Sequence, residues 1–295
     1  MLGATATGKT SLAIRLAQAF DGEVISADSR YFYRGMDVGT AKPSIEERAG
    51  VPHHLIDIAD PRDDYSLSRF LTDAYVAVED VAARWHLPIV AGGTPQYLRA
   101  FIEGWHVPEV PPDAELRQRL ELEPVEDLSK RLLHVDAVSA ERIGPQNKRR
   151  MIRALEIHTL TGVPMSVLAG KDAPPYRFLV LGLRQDREQL YDRIDRRVRD
   201  MFAGGWLAEV RDLYARGVTA ATPAMSAHGY REALEVVQGV TTLEDAIVRT
   251  QLMVHKYVRH QETWFRRFAD VQWLDSSDAG FEDVAVAWVR AFLAQ

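Results

Sequence analysis

The sequence lacks cysteine and long apolar runs. None of its 295 residues is cysteine, which excludes disulfide bonds and thiolate metal sites. No stretch approaches the roughly 18 consecutive apolar residues that a membrane span requires. The first residues lead directly into a glycine-rich loop, without the apolar segment of a signal peptide. We therefore expect a cytoplasmic protein that does not contact a membrane, and we expect a monomer.

Positive charge is not in excess either. The sequence has 36 lysine and arginine residues against 42 acidic residues, a formal net charge of −6, which argues mildly against a nucleic-acid partner. Binding to phosphodiesters depends on a local basic face rather than on the total, however. Residues 142–153 carry five basic side chains and no acid, and residues 255–267 carry four lysines or arginines with one acid. Each stretch fits either an RNA-binding face or an ordinary solvated helix face.

The sequence does contain an alternation of short apolar segments and helical patterns. Its residues are 46% hydrophobic and 26% charged, proportions typical of a globular protein with a sizeable core. Residues 23–28, 54–60 and 88–94 are predicted as buried strands, with helices near 9–20 and 66–86 between them. This alternation predicts βαβ units, a parallel sheet and hence an α/β fold.

A second region interrupts this alternation. After residues 101–113, whose prolines break the pattern, the sequence is helical in character as far as residue 161, and a strand-like segment at 176–183 follows. We expect an inserted all-helical domain at residues 113–173. The remaining residues, 1–112 and 174–295, then form one catalytic core.

A phosphate-binding pattern, G-x-x-x-x-G-K-[ST], occurs near the start as "GATATGKT". In such a P-loop, which is typical of ATP-binding and other nucleotide-binding proteins, backbone N–H groups at a helix N-terminus surround phosphate oxygens. Lys9 adds a full positive charge, and Thr10 can bind Mg²⁺ through its hydroxyl. The predicted phosphate site consists of Gly3, Ala4, Thr5, Ala6, Thr7, Gly8, Lys9 and Thr10. The predicted fold is therefore an α/β P-loop parallel-sheet core with an inserted all-helical domain.

The strand before this loop is nearly missing from the sequence. A P-loop normally follows a buried strand, yet only Met1 and Leu2 precede Gly3. We expect that the sequence as written starts inside a longer strand, and that a real truncation would destabilise the core.

Two strand ends carry candidate site residues. Asp28 follows the first long apolar segment, and Thr94 follows two glycines at the end of the segment 88–94. In an open parallel sheet the carboxyl ends of the strands face the ligand crevice, so both side chains should point toward the ligand of the P-loop. Asp28 also fits a helix cap or turn residue, because "ADS" resembles a turn.

Two arginines four residues apart, Arg193 and Arg197, share one face of a predicted helix. That spacing suits a clamp on phosphate groups. Asp192, Asp195 and Asp200 interleave with them, so surface ion pairing is the alternative.

Six segments together resemble the successive motifs of the bacterial tRNA dimethylallyltransferases, also called tRNA isopentenyltransferases. The resemblance spans almost the whole chain, and the second segment is far more specific than a P-loop. The segments are "GATATGKT" (3–10), "ISADSRYFYRGMDVGTAKP" (25–43), "VPHHLIDIADP" (51–61), "VAGGTPQYLRA" (90–100), "KRRMIRALEIHTLTGVP" (148–164) and "RHQETWFR" (259–266).

The resemblance implies transfer of a dimethylallyl group from dimethylallyl diphosphate to N6 of the adenosine immediately 3′ of the anticodon. It implies that the P-loop binds the diphosphate with Mg²⁺, helped by Arg197, and that the helical insertion grips the tRNA anticodon stem-loop. Asp28 occupies the position of the family's catalytic aspartate, and Thr94 is implied to lie beside the reacting groups. The implied tRNA-binding residues are Asp28, Ser29, Arg30, Tyr31, Arg149, Arg150, Met151, Ile152 and Arg153.

The sequence departs from the family pattern at several positions, which we expect to affect RNA affinity more than chemistry. These positions are Pro95, Gln96, Gly144, Pro145, Gln146, Asn147, His255 and His260. Two other functions explain part of the sequence. A small-molecule P-loop kinase would use the P-loop but leave the basic helical insert without a role. A catalytically impaired RNA-binding relative would fit the short N-terminal strand.

Overall fold

Short apolar segments form the strands of the protein, whose computed structural model describes all residues from 1 to 295. The strands are β1 (Leu2–Gly3), β2 (Gly22–Ser26), β3 (His53–His54), β4 (Leu87–Ala91), β5 (Trp105–His106), β6 (Gly170–Lys171), β7 (Val180–Arg184) and β8 (Val271–Asp275). Pairing is parallel in the order β1-β7-β8 and in the order β3-β2-β4. The Gly92 N–H donates to the carbonyl of Met1 at 3.3 Å, which places β1 beside the end of β4.

Thirteen helices surround or follow these strands. They are α1 (Lys9–Ala19), α2 (Leu67–Ala83), α3 (Pro95–Glu103), α4 (Ala114–Leu122), α5 (Val125–Val135), α6 (Ala137–Ile143), α7 (Lys148–Thr161), α8 (Met165–Leu168), α9 (Arg187–Ala203), α10 (Trp206–Ala215), α11 (Tyr230–Val237), α12 (Leu243–Phe265) and α13 (Phe281–Leu293). A 3-10 turn at Pro223–Ser226 precedes α11. None of the helices has the length and apolar character needed to cross a lipid bilayer.

The chain divides into two compact units, residues 1–99 with 176–295, and residues 100–175. The first unit holds the parallel strands, and its core packs Leu12 and Leu16 of α1 against Val24, Leu183 and Val289. The helical patterns at 9–20 and 66–86 correspond to α1 and α2. The predicted α/β architecture with an inserted helical part is confirmed.

The second unit begins 13 residues earlier than the predicted boundary of 113 and ends at Pro175 rather than 173. The reason is a short antiparallel ladder, in which Trp105 pairs with Lys171 and His106 with Gly170. The segment 101–113 therefore belongs to the helical unit, although its prolines resemble a linker. Helices α4 to α8 complete the unit around a leucine-rich core.

The first strand is as short as expected, with two residues, and one other strand prediction needs correction. β1 does form, with Leu2 opposite Gly182 and Gly3 opposite Leu183, and Leu2 is only 1% exposed. The predicted strand at 54–60 is wrong beyond its first residue. Leu55 and Asp57 have positive φ angles of 58° and 59°, which take the backbone out of the extended conformation of a strand.

Candidate active site

The loop of residues 3–10 joins β1 to α1, as its pattern predicts. Gly8, at the N-cap of α1, has φ 90° and ψ 12°, a left-handed conformation that glycine adopts without strain, and no side chain caps the helix. The first N–H groups of α1 are therefore left for an anion. Thr7 Oγ1 and Lys9 Nζ both donate to the carbonyl of Ala4, at 2.8 and 2.6 Å, and these bonds hold the loop closed on itself.

The ends of β2 and β4 bring Asp28 and Thr94 next to this loop. Thr94 Oγ1 accepts from the Ser29 N–H at 3.0 Å and donates to Ser29 Oγ at 3.2 Å. A Cβ placed at Gly93 would lie 3.4 Å from Asp28 Oδ2 and 3.8 Å from Lys9 Nζ. The carboxylate and the ammonium group therefore face the same small volume beside Gly93.

Asp28 shows both of its predicted placements, in a turn and facing the ligand crevice. Its Oδ1 accepts from the Arg30 N–H at 3.0 Å, which is the hydrogen bond of a turn residue. The side chain nevertheless lines the cavity. The turn fixes the orientation of the carboxylate and leaves Oδ2 directed toward the loop of residues 3–10.

Helix α9 presents its arginines to the loops rather than to its own acids. Arg193 Nη1 donates to the carbonyl of Ala6 at 2.9 Å, and Arg197 Nη2 lies 3.5 Å from the carbonyl of Ala41. Asp195 instead lies 2.8 Å from His255 Nε2. The alternative of ion pairing within α9 is not observed.

Helix α12 contributes two residues that the sequence analysis missed. Gln261 is 1% exposed; its Oε1 accepts from the Thr5 N–H at 3.0 Å, and its Nε2 donates to the Gly93 carbonyl at 2.6 Å. Tyr257 donates to the same carbonyl at 3.1 Å. Tyr257, Gln261 and Trp264 recur at helical spacing on one face, a signal that the stretch 255–267 carries beneath its positive charge.

These elements enclose one cavity of about 340 Å³ within the first unit. The predicted residues that line it are Thr5, Ala6, Lys9, Thr10, Asp28, Ser29, Arg30, Tyr31, Thr94 and Arg197. Helix α9 adds an apolar wall of Ile194, Val198 and Met201, and α12 adds the polar residues just described.

The charge of the cavity favours an anion. Lys9, Arg30 and Arg197 line it, and Asp28 is the single carboxylate among the lining residues. Burial lowers the pKa of Lys9 to about 8; Asp28 opposes this shift and Arg197 adds to it. Lys9 is therefore mostly charged at neutral pH, and its charge is poorly hydrated and available to a ligand.

The segment between Tyr31 and Pro43 is held by a half-buried acid, Glu209. Glu209 accepts hydrogen bonds from the N–H groups of Asp37 and Val38, at 2.7 and 2.6 Å, and from the Tyr230 hydroxyl at 2.6 Å. A Cβ at Gly39 would lie only 2.0 Å from Trp206 Nε1. Only glycine fits there, so this specific segment "YRGMDVGTAKP" is positioned as one wall of the cavity.

The predicted RNA-binding residues of α7 divide into three groups. Met151 and Ile152 are 1% and 4% exposed in the core of the helical unit, so their side chains do not reach a surface ligand. Arg153 is engaged by the buried Glu156 at 2.6 Å. Of the five predicted positions, only Arg149 and Arg150 are exposed without an ion pair.

Five of the departures from the family pattern have identifiable positions in the structure. The His255 ring stacks on Tyr191 with centroids 3.9 Å apart and contacts Asp195, so it packs between α12 and α9. His260, Pro95 and Gln96 line the cavity. Asn147 caps α7 by accepting from the Arg150 N–H at 3.2 Å.

Comparison with known proteins agrees with this geometry. A family model described as IPP transferase matches residues 31–268, and one described as isopentenyl transferase matches residues 1–57. A tRNA dimethylallyltransferase of Thermomicrobium roseum is 54% identical over 285 residues, which cover 95% of this chain and 87% of that protein. The chain belongs to the tRNA dimethylallyltransferase family. The resemblance found in the sequence is thereby confirmed.

Other family members support the assignment along the whole chain. The tRNA dimethylallyltransferase of Roseiflexus castenholzii is 46% identical, over 98% of this chain and 96% of its own. The crystal structure of a full-length tRNA isopentenylpyrophosphate transferase from Bacillus halodurans has a TM-score of 0.72 and 39% identity, with 99% of this chain and 94% of that one covered. A eukaryotic dimethylallyltransferase, described as acting on tRNA, has a TM-score of 0.86 and 29% identity, and covers 99% and 78% of the two chains.

Proposed function

We propose that this protein transfers a dimethylallyl group from dimethylallyl diphosphate to N6 of the adenosine immediately 3′ of the anticodon in tRNA. The observation that carries this proposal is the shared cavity. A phosphate-binding loop and the side chains of Asp28 and Thr94 face the same volume, and β4 is followed by Gly92, Gly93 and Thr94 without an acid. An ATPase or kinase would need an acid in that region to complete its metal shell.

The donor occupies the loop side of the cavity in this proposal. The N-terminus of α1, Lys9 and Arg197 hold the diphosphate, whose negative charge increases as the carbon–oxygen bond breaks. The apolar wall of α9, with Ile194, Val198 and Met201, receives the five-carbon chain. Binding energy at the diphosphate and burial of the hydrocarbon together orient the reacting carbon.

Mg²⁺ fits this site as a partner of the diphosphate rather than of the protein alone. No group of three or more histidine, cysteine, aspartate or glutamate side chains is placed to hold a metal ion. Thr10, in the first turn of α1, lines the cavity, and Mg²⁺ commonly combines one or two protein ligands with phosphate oxygens and water. We infer that Thr10 holds it, and that the ion when bound neutralises part of the leaving-group charge.

The chemistry is a substitution at the allylic carbon. N6 of adenine forms a bond to C1 of the dimethylallyl group, the bond between C1 and the diphosphate oxygen breaks, and Asp28 accepts one N6 proton. An exocyclic adenine amine is a poor nucleophile, so charge stabilisation at the departing diphosphate by Lys9 and Arg197 contributes more than the basicity of Asp28. Thr94 holds the backbone at Ser29, next to Asp28.

The tRNA contacts of this proposal lie in both units. Ser29, Arg30 and Tyr31 line the approach to Asp28, and the target base must leave the loop stack to enter the cavity. On the helical unit, Arg149 and Arg150 bind phosphates of the anticodon stem-loop.

Mass spectrometry of nucleosides tests the proposal. Purified protein, unmodified tRNA and dimethylallyl diphosphate in Mg²⁺ without any nucleotide should yield prenylated adenosine. A parallel assay should detect no phosphate release from ATP. Asp28→Asn should bind tRNA and donor normally and lower turnover by about 10²-fold or more, because the carboxamide does not accept a proton. ATP-dependent prenylation, or ATP hydrolysis stimulated by tRNA without prenylation, would support the kinase or ATPase alternative.

A further inference from the structure

His228 lines the cavity, yet no step of the proposed reaction uses it. It lies between the 3-10 turn at Pro223–Ser226 and α11, and its ring packs on Tyr257 with centroids 4.5 Å apart and planes inclined by 37°. Neither ring nitrogen has a hydrogen-bond partner within the protein. Burial and the nearby Arg30 lower the pKa of His228 to about 4. At neutral pH the ring is therefore an uncharged group with one donor and one acceptor nitrogen.

The contacts of α12 give His228 a position relative to the phosphate loop. Gln261 contacts Thr5 of that loop, and both Gln261 and Tyr257, four residues earlier on α12, donate to the Gly93 carbonyl. The His228 ring packs on the Tyr257 ring. Tyr257 therefore connects His228 to the volume beside Gly93 that Asp28 and Lys9 face. An attacking nitrogen must lie about 3–3.5 Å from the reacting carbon, so the purine that carries N6 lies in the same cavity that His228 lines.

Arg30 connects His228 to the side of the cavity that contains Asp28, where the adenine amine enters in the proposed reaction. Its Nη1 donates to Ser226 Oγ at 3.3 Å, two residues before His228. Arg30 follows Asp28 closely in the chain and belongs to the same turn. His228 consequently lies on the side of the cavity where the nucleophile enters.

The two walls of the cavity differ in chemistry. Ile194, Val198 and Met201 offer no hydrogen-bonding group in their side chains, which suits a hydrocarbon. The wall at His228 and Tyr257 offers flat rings and two free ring nitrogens, which suits a heteroaromatic base. His228 is half-buried and its ring nitrogens have no partner in the protein, so they are available to a ligand with complementary polar atoms.

We propose that His228 recognises the target adenine, donating its ring N–H to N1 or N7 of the base while Tyr257 packs against the His228 ring and holds it in place. This inference rests on the proposed function. It makes His228 a positioning and specificity-determining residue, because it orients N6 toward the dimethylallyl carbon without taking part in proton transfer.

The test pairs enzyme variants with substrate analogues. Unmodified tRNA and tRNAs with 1-deazaadenosine or 7-deazaadenosine at the target position are assayed with the full-length protein and its His228→Phe variant. Phe keeps a ring that packs on Tyr257 but lacks the N–H. His228→Phe should lower kcat/KM for unmodified tRNA about 10-fold, the effect of one hydrogen bond, and leave KM for the donor unchanged. One of the two analogues should lower kcat/KM about 10-fold further with the wild type than with His228→Phe, a comparison that cancels the intrinsic reactivity of the analogue.

Two further variants control this experiment. Tyr257→Phe removes the hydroxyl bonded to Gly93 but keeps the ring. The loss of kcat/KM in this variant and the loss caused by either analogue should therefore be independent, and their free energies should add. His228→Asn keeps an N–H donor and should retain sensitivity to the same analogue, which provides the readout if His228→Phe fails to fold. Equal activity of His228→Phe and wild type, or additive effects with both analogues, would overturn the inference alone. A wild-type protein that leaves unmodified tRNA unprenylated would instead overturn the proposed function.

Discussion

Two helices of this protein carry clustered arginines at similar spacing, and the structure uses them differently. On α9, Arg193 and Arg197 contact carbonyl groups of the loops that enclose the cavity. On α7, Arg153 pairs with Glu156, which is fully buried and also pairs with Arg117 of helix α4. The arginines of α9 therefore face a ligand cavity, whereas Arg153 of α7 forms an ion pair with a buried acid of its own unit.

The difference comes from where the nearest acids lie. Asp195 of α9 lies against His255, so it does not compete for Arg197. Glu156 lies on the buried face of α7, where an unpaired carboxylate would be strongly destabilising. Burial alone would raise the pKa of Glu156, but hydrogen bonds from Arg117 and Arg153 and from the Asp113 N–H outweigh it, and the net shift is downward. The buried carboxylate therefore stays charged and remains paired with Arg117 and Arg153.

Arg197→Ala is the strongest test of this contrast. The variant should lower kcat/KM for dimethylallyl diphosphate by about 10²- to 10³-fold, because a positive charge directed at the leaving group is lost. Steady-state kinetics with saturating tRNA measures the effect. Arg196→Ala is the matched control, since Arg196 is exposed on the same helix and does not line the cavity. Similar losses in both variants would show that α9 acts through its overall charge.

Charge reversal at Arg149 and Arg150 tests the exposed part of α7. The double variant to glutamate should weaken tRNA binding by about 10- to 100-fold at low salt. The slope of log Kd against the logarithm of the salt concentration should fall by about 2, because two phosphate contacts are lost. Binding titrations over a range of salt concentrations measure both quantities. Identical slopes for variant and wild type would leave this surface as an ordinary solvated face.

The lowered pKa of Lys9 predicts a pH dependence that the exposed arginines of α7 would not show. Because its pKa is lowered to about 8, Lys9 is protonated below pH 8 and loses its charge as the pH rises. We expect kcat/KM for the donor to fall about 10-fold between pH 7 and pH 9. Lys9→Arg should remove this decline even though its activity is lower, because arginine stays charged throughout. A decline that persists in Lys9→Arg would assign the titration to another group.

The smallest effect on RNA binding is expected for Arg153→Ala. Its side chain pairs with Glu156 and donates to the Val110 carbonyl at 2.7 Å, so tRNA affinity should stay within about threefold of wild type. The melting temperature should fall instead, because Glu156 loses one of its partners. Thermal unfolding and tRNA titration of the same preparation separate the two roles. A large loss of tRNA affinity with an unchanged melting temperature would show instead that Arg153 binds RNA.

Much of this protein is determined by local sequence. The loop pattern at 3–10, the apolar segments of β2, β4, β7 and β8, and the amphipathic helices are set by residues close together in the chain, so periodicity and turn chemistry predict them. The family resemblance is equally local, because it rests on short segments in a fixed order. The incorrect strand prediction at 54–60 also shows the limit of this reasoning, since Leu55 and Asp57 adopt left-handed conformations that composition does not reveal.

Only the tertiary structure decided which of these residues meet. Gln261 bridges Thr5 and Gly93 across 256 and 168 positions of sequence, and His228 reaches the cavity from a segment that has no recognisable motif. The structure likewise shows that the arginines of α9 face the cavity, whereas Arg153 forms an ion pair with the buried Glu156. The physical reason is that hydrogen bonds and ion pairs depend on distance in space and on burial. Neither quantity is fixed by the spacing of residues along the chain.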